Sequence, residues 1–129
     1  MRRKSQTFTD VELEFMKILW EKGEAAPDEI SGAFAGMGRD LTYGTIRNML
    51  VLMIEKGYVA RRKQGKVFLY RALVGEQDAK RSMLYDLLAR AFDGSEASMI
   101  ATLLSGKKVG DDELAEIHRI LDNEQGDGE

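Results

Sequence analysis

Apolar residues recur at helical spacing early in the chain, with Val11, Phe15, Ile18 and Leu19 on one face. Thr9 and Glu12 frame the start of that run as a T-x-x-E capping box. Asp10 lies in the first turn, where the helix dipole favours an anion, and Gly23 ends the run. The pattern predicts a first helix over residues 10–22, with Phe8 and Leu13 at the two positions of a hydrophobic staple. Pro27 suits the first position of a second helix, followed by Asp28 and Glu29 in its first turn. Ile30, Ala33 and Phe34 supply its buried stripe, and Gly36 and Gly38 close it. Thr42 is placed to cap a third helix running to about Lys56 before Gly57. Ile46, Met49, Leu50 and Met53 fall on its core face.

The period then changes. Tyr58-Val59-Ala60-Arg61-Arg62-Lys63 and Val67-Phe68-Leu69-Tyr70-Arg71, separated by Gln64-Gly65-Lys66, read as a β-hairpin with a basic tip. Phe68 and Tyr70 are expected in the core beneath it. Three helices followed by a hairpin is the order of a winged helix-turn-helix, here over residues 1–73.

From Glu76 onward the pattern is helical again. Ala79, Met83, Leu87 and Ala91 repeat every fourth residue, joined by Leu84 and Leu88, until Asp93-Gly94 interrupts them. A shorter helix at about 95–104 carries Ile100, Leu103 and Leu104. A last one, starting at Asp111 or Asp112, sets Leu114, Ile117 and Leu121 on one face, and the tail from residue 124 is expected to fray. The fold class is therefore mainly α (α+β): an N-terminal winged helix-turn-helix and a C-terminal three-helix region over residues 74–129. About 50 residues with broad apolar faces make a marginal core alone. A second copy of the chain is expected to complete it through Met83, Leu84, Leu87, Leu88, Ile100, Leu103, Leu104, Leu114, Ile117 and Leu121. The competing arrangement folds these helices back on the N-terminal half.

Composition narrows the function classes. The 129 residues include no Cys and one His, which excludes thiolate chemistry, disulfides and multi-histidine metal sites. No metal or other cofactor is expected. No apolar run reaches the roughly 18 residues of a membrane span, and residues 1–6 show no apolar stretch behind their charges. The chain reads as cytoplasmic. The net charge of −3 conceals a split. Residues 1–72 hold 13 Lys/Arg against 9 Asp/Glu, a net of +4, and the remainder 6 against 13, a net of −7. Residues 39–71 alone carry 8 Lys/Arg and only the acids Asp40 and Glu55. Such a segment is either a solvated basic face or a surface for a polyanion.

No catalytic constellation is present. His118 stands on a helix beside Arg119 without a nucleophile near it, and the acids Asp111, Asp112 and Glu113 suit a helix start. The glycines Gly36, Gly38, Gly44, Gly57 and Gly65 follow no phosphate-loop spacing. On the third helix, Tyr43, Thr45, Arg47, Asn48 and Val51 lie opposite the core face. A helix fits the DNA major groove, where Arg pairs with guanine and Asn with adenine; Tyr43 and Thr45 suit a phosphate or a thymine methyl. Gly44 leaves room for a close backbone approach. Arg61, Arg62, Lys63 and Lys66 on the hairpin suit flanking phosphates. Val51 and Leu52, apolar on this side, suit either thymine methyls or packing against the C-terminal helices.

These residues together resemble a known family, the penicillinase and methicillin-resistance repressors (BlaI/MecI/CopY). The resemblance runs from about Phe8 to Asp122. It is carried by Thr9-Asp10-Val11-Glu12-Leu13-Glu14-Phe15-Met16-Lys17-Ile18-Leu19-Trp20, by Gly44-Thr45-Ile46-Arg47-Asn48-Met49-Leu50, and by Glu55-Lys56-Gly57-Tyr58-Val59-Ala60-Arg61 with the following Gly65 and Tyr70. It implies a dimeric repressor with N-terminal DNA-binding domains, a helical dimerisation domain and a palindromic operator near its own genes. Thr45 and Arg47 match the family's recognition-helix positions. Gly44, Val51 and Leu52 depart from the polar or basic residues of many relatives. The copper-responsive branch senses through C-terminal Cys pairs, which this chain lacks. In the β-lactam branch a membrane sensor-peptidase system has the repressor cleaved at an Asn-Phe bond, and the matching pair here is Thr102-Leu103, of different chemistry.

The expectation is thus a homodimeric repressor on a palindromic duplex, not an enzyme. A rival from another class is a winged-helix module that binds a protein through an apolar patch at Val51, Leu52 and Tyr43. A ligand-sensing regulator would need a polar cluster among the C-terminal helices, and the pattern holds none.

Overall fold

The computed structural model describes residues 8–127 apart from Lys107, with the backbone alone for 125–127; residues 1–7, among them the charged start read above, and the end of the tail lie outside it. The elements follow in the order α1 (Asp10–Lys22), α2 (Pro27–Gly36), α3 (Tyr43–Glu55), β1 (Val59–Gln64), β2 (Val67–Ala72), α4 (Glu76–Phe92), α5 (Glu96–Gly106) and α6 (Asp111–Asp127). The chain is mainly helical and divides into two units, Met1–Asp86 and Leu87–Glu129, with the division inside α4.

The first unit is built around one apolar cluster. Phe15, Met16, Ile18 and Leu19 of α1 meet Ile30 and Phe34 of α2, Ile46, Leu50 and Met53 of α3, and Val59 and Tyr70 of the hairpin. The rings of Phe15 and Phe34 lie 4.9 Å apart in a tilted arrangement. The three- and four-residue spacing read along each helix is therefore the spacing of the buried positions, with Met49 and Ala33 at the rim of the cluster. Trp20 is tied down separately, its indole N–H donating to the Val74 carbonyl at 2.8 Å.

The start of α1 is the most heavily bonded point of this unit. The Thr9 hydroxyl accepts the Glu12 N–H at 3.1 Å, and the Glu12 carboxylate accepts the Thr9 N–H at 2.9 Å. Both halves of the capping box are thus formed. The same carboxylate, 1% exposed, also accepts from Lys56 Nζ at 2.6 Å. Lys56 is the C-cap of α3, so one buried side chain ties the beginning of α1 to the end of α3. Phe8, expected to staple α1 through Leu13, sets its ring 4.6 Å from that of Tyr58, just past Lys56. Gly57 turns the chain at φ +82°, a left-handed conformation that favours glycine.

β1 and β2 pair antiparallel with Gln64 opposite Val67, so the turn is Gly65-Lys66 and Gln64 belongs to the strand. Gly65 supplies the positive φ of +64° that a two-residue turn asks for. Ala25 adds a rung on the other edge of β2, exchanging both backbone hydrogen bonds with Tyr70 at 3.0 and 2.8 Å. This contact fixes the hairpin against the α1–α2 connection, and no periodicity announces it.

In the second unit, α5 buries no residue. Ile100, Leu103 and Leu104 on α5 and Leu114, Ile120 and Leu121 on α6 are all exposed. α6 continues to Asp127, a correction to the fraying expected from residue 124, and its first turn holds Asp111, Asp112 and Glu113 as the dipole argument required.

Glu12 generates a pH test. Burial raises its pKa, but the Lys56 hydrogen bond, the Thr9 amide, the Lys56 charge and the Thr9 hydroxyl outweigh that and hold it below the ordinary carboxylate value. A lowered folded pKa gives stability that is complete above the unfolded value of about 4.3 and is lost as pH falls through the folded one. Glu12→Gln is expected to lower stability by about 2 kcal/mol at pH 7. The gap from wild type should close in acid, read by urea unfolding through the single Trp20. A gap independent of pH would refute the charged tie.

Candidate nucleic-acid interface

α3 presents two faces. Ile46, Leu50 and Met53 are buried, while Tyr43, Gly44, Thr45, Arg47, Asn48, Val51 and Leu52 are exposed. Thr42 caps the helix by accepting the Thr45 N–H at 3.1 Å, and its hydroxyl donates to Thr45 Oγ1 at 2.8 Å. Thr45 is thereby held by the cap. The Arg47 guanidinium lies 5.7 Å from the centre of the Tyr43 ring, one turn back on the same ridge.

Beside this face opens a groove of about 340 Å³, lined by Pro27 and Asp28 of α2, Tyr43 and Arg47 of α3, and Lys66 and Phe68 of the hairpin among others. The structure thus brings Lys66 to a single concavity with Tyr43 and Arg47, although it is far from both in sequence. Tyr70 is buried and Phe68 half-buried, as expected of residues under a wing. The Arg61 guanidinium stacks over Phe68 at 4.1 Å, which orients its charge along the hairpin.

The basic segment is not uniformly available. Lys56 is held by Glu12, Arg39 by Glu14 at 2.6 Å, and Arg62 by Glu24. The last pair is a fork, with Arg62 Nε and Nη2 donating to the two Glu24 oxygens at 2.7 and 2.8 Å. The Arg62 hydrogen bond holds the Glu24 carboxyl below its ordinary pKa against the opposing effect of burial, with help from the charges of Arg62 and Arg71. Among the described residues, Arg47, Arg61, Lys63 and Lys66 make no ion pair. Sequence reasoning placed Arg62 with these open cations; its partner lies 38 positions away, beyond the reach of any local pattern.

On the C-terminal side, Leu103, Leu104 and Ile117 come together in a groove of about 350 Å³ between α5 and α6. Leu84, Leu87, Ile100, Leu114 and Leu121 are exposed, Met83 is half-buried, and Leu88 is buried within the chain itself. The exposed Tyr85 and Ile120 join this apolar set. Ile120 was legible as the residue three after Ile117; Tyr85 had no such signal. The Thr102-Leu103 bond lies inside α5, with the Thr102 carbonyl accepting from the Ser105 hydroxyl at 3.3 Å. His118 is exposed on α6.

The Glu24 fork yields a measurable consequence. Glu24→Gln frees Arg62, so binding to duplex DNA should tighten at low salt. The log–log salt dependence should steepen by about one. An unchanged slope in a fluorescence-anisotropy titration would show that Arg62 lies away from the duplex.

Comparison with known proteins agrees with this geometry. The penicillinase repressor family matches residues 8–123. The chain is 29% identical over 121 residues to the methicillin resistance regulatory protein MecI of Staphylococcus aureus, covering 94% of this chain and 98% of that one. It is 28% identical over 122 residues to the penicillinase repressor of Bacillus licheniformis, covering 93% of each. Among solved structures, the DNA-binding domain of the repressor BlaI superposes with a TM-score of 0.51 at 30% identity, over 60% of this chain and 93% of that domain. Bacillus licheniformis BlaI, solved as a monomeric form in complex with the blaP half-operator, gives 0.50 at 31% identity over 58% of this chain and 90% of that one. The chain belongs to the penicillinase repressor family of DNA-binding transcriptional repressors.

Proposed function

We propose that two copies of the chain associate through α4, α5 and α6 and hold two N-terminal units on a palindromic operator, blocking transcription there. The observation that carries this reading is the outward face of α3. Arg47, Asn48 and Thr45 stand clear of the core beside a hairpin whose Arg61, Lys63 and Lys66 are unpaired among the described residues. Each α3 enters the major groove of one half-site. Arg47 takes a guanine bidentately, Asn48 an adenine, and Tyr43 and Thr45 the flanking phosphates. The hairpin cations grip the backbone and set the register. That the BlaI relative was solved on a half-operator supports one N-terminal unit per half-site.

Association is supported by the apolar surface of the second unit. A helix with no buried residue and a groove lined by Leu103, Leu104 and Ile117 leave apolar surface of the kind that marks an association site. A second copy supplies matching leucines through a two-fold axis. The reading places the protein in the cytoplasm with the DNA; among the described residues no helix is long and apolar enough to cross a membrane. Release through a membrane sensor-peptidase system belongs to the same reading. Leu103 is 64% exposed, and a cut at Thr102-Leu103 severs α5 and detaches α6 from the N-terminal unit. Fragments ending at Thr102 and beginning at Leu103 are the expected trace in induced cells.

Two measurements test the core of it. Selection of bound genomic fragments should enrich a palindrome with wild-type protein and lose it with Arg47→Ala. Enrichment by neither protein would hand the module to protein recognition instead. Sedimentation should show a dimer at micromolar concentration that Leu103→Glu converts to monomer. A wild-type monomer at tens of micromolar would overturn the dimer.

A further inference from the structure

Val51, like its neighbour Leu52, is a residue of α3 that neither the core nor the proposed contacts account for. It is 47% exposed, although its side chain is purely apolar. Its β-branched side chain is a poorer helix former than alanine, so exposure and propensity both argue against an idle surface position. Its phase along the helix is specific. Gly44, Arg47, Asn48 and Val51 follow the spacing of a single helical stripe, and that stripe lies opposite the buried Ile46, Leu50 and Met53. Leu52 falls to the flank, seven residues after Thr45.

The head of the stripe points outside the chain as well. Glycine is a poorer helix former than alanine. Gly44 has no positive φ to explain it, and nothing lies within 4 Å of where a Cβ would stand. The space in front of Gly44 is thus open, on the line that leads to Arg47, Asn48 and Val51. The next stripe position after Val51 is Glu55, whose negative charge is unsuited to a phosphate-lined groove.

We infer that Val51 is a specificity-determining residue that reads the 5-methyl group of a thymine in each half-site, near but not adjacent to the base taken by Arg47. This rests on the proposed entry of α3 into the major groove. Thymine is the base that presents an apolar group there, and a valine methyl is a matching surface with no hydrogen-bonding demand. The four-residue step from Arg47 to Val51 is about 6 Å along the helix. With a base step of about 3.4 Å, the thymine lies about two base pairs from the guanine.

The test uses the full chain and the palindrome that it selects from a random duplex library. Each thymine is replaced, symmetrically in both half-sites, by deoxyuridine, which removes the methyl and nothing else. One thymine, about two base pairs from the position at which Arg47→Ala loses discrimination, should weaken binding about fourfold per half-site on replacement. Val51→Ala, an exposed change to a better helix former, should keep the melting temperature and bind thymine and uracil duplexes equally. Leu52→Ala should retain the wild-type difference. An operator selected normally but insensitive to deoxyuridine at every thymine overturns the assignment while leaving the repressor reading intact. So does a Val51→Ala protein that still distinguishes the two bases. Failure to select any operator overturns both.

Discussion

Glu12 has one carboxylate and two demands on it. As the third residue of α1 it closes the capping box on Thr9, and as a buried anion it needs a counter-charge, which Lys56 provides. Satisfying both in one place fixes the end of α3 relative to the start of α1. The core residues Ile46, Leu50 and Met53 can then face Phe15 and Leu19 only in one rotational setting, and the opposite side of α3 is turned outward by default. The orientation of the recognition surface is thus set by a bond at the far end of the helix from Arg47. A buried charge deprived of its partner is expensive, which makes the arrangement all-or-none rather than adjustable.

The same economy governs the other cations. Of the eight Lys/Arg between residues 39 and 71, Arg39, Lys56 and Arg62 meet Glu14, Glu12 and Glu24 from α1 and the connection after it. They hold the helices and the hairpin in position. Arg71 adds its charge near Glu24, and Arg47, Arg61, Lys63 and Lys66 are left open, two of them oriented by aromatic rings. A net charge counted along the sequence merges these two roles. The structure separates them, because acids distant in sequence are close in space.

That separation marks what could be read from the chain alone. α1, the capping box, the end of α3 at Gly57 and the core faces were legible because each rests on contacts within a few residues, where spacing alone carries the information. The family resemblance was legible for a related reason: its motifs are these same local signals strung in order. What escaped were pairings over long separations, namely Arg62 with Glu24, Trp20 with Val74, and Ala25 with Tyr70. The end of α6 escaped for the opposite reason, since a helix with few tertiary contacts leaves no stop signal beyond its own propensity. Val51 lies between the cases: its place opposite the core face was visible, but how much of it stays exposed required the fold.

The two units differ in what completes them. The N-terminal unit closes its own core, whereas α5 closes none. The acidic C-terminal half, at −7, adds no attraction for DNA and repels it. In the proposed dimer, affinity for an operator therefore comes from joining two modestly binding N-terminal units, the second held near its half-site at high effective concentration by the first. Control then follows from topology. Because the proposed joining surface is made of α4, α5 and α6 and not of α3, separating the copies would abolish tight binding without touching α3. A signal that acts on the C-terminal helices can release the operator while the recognition unit stays folded.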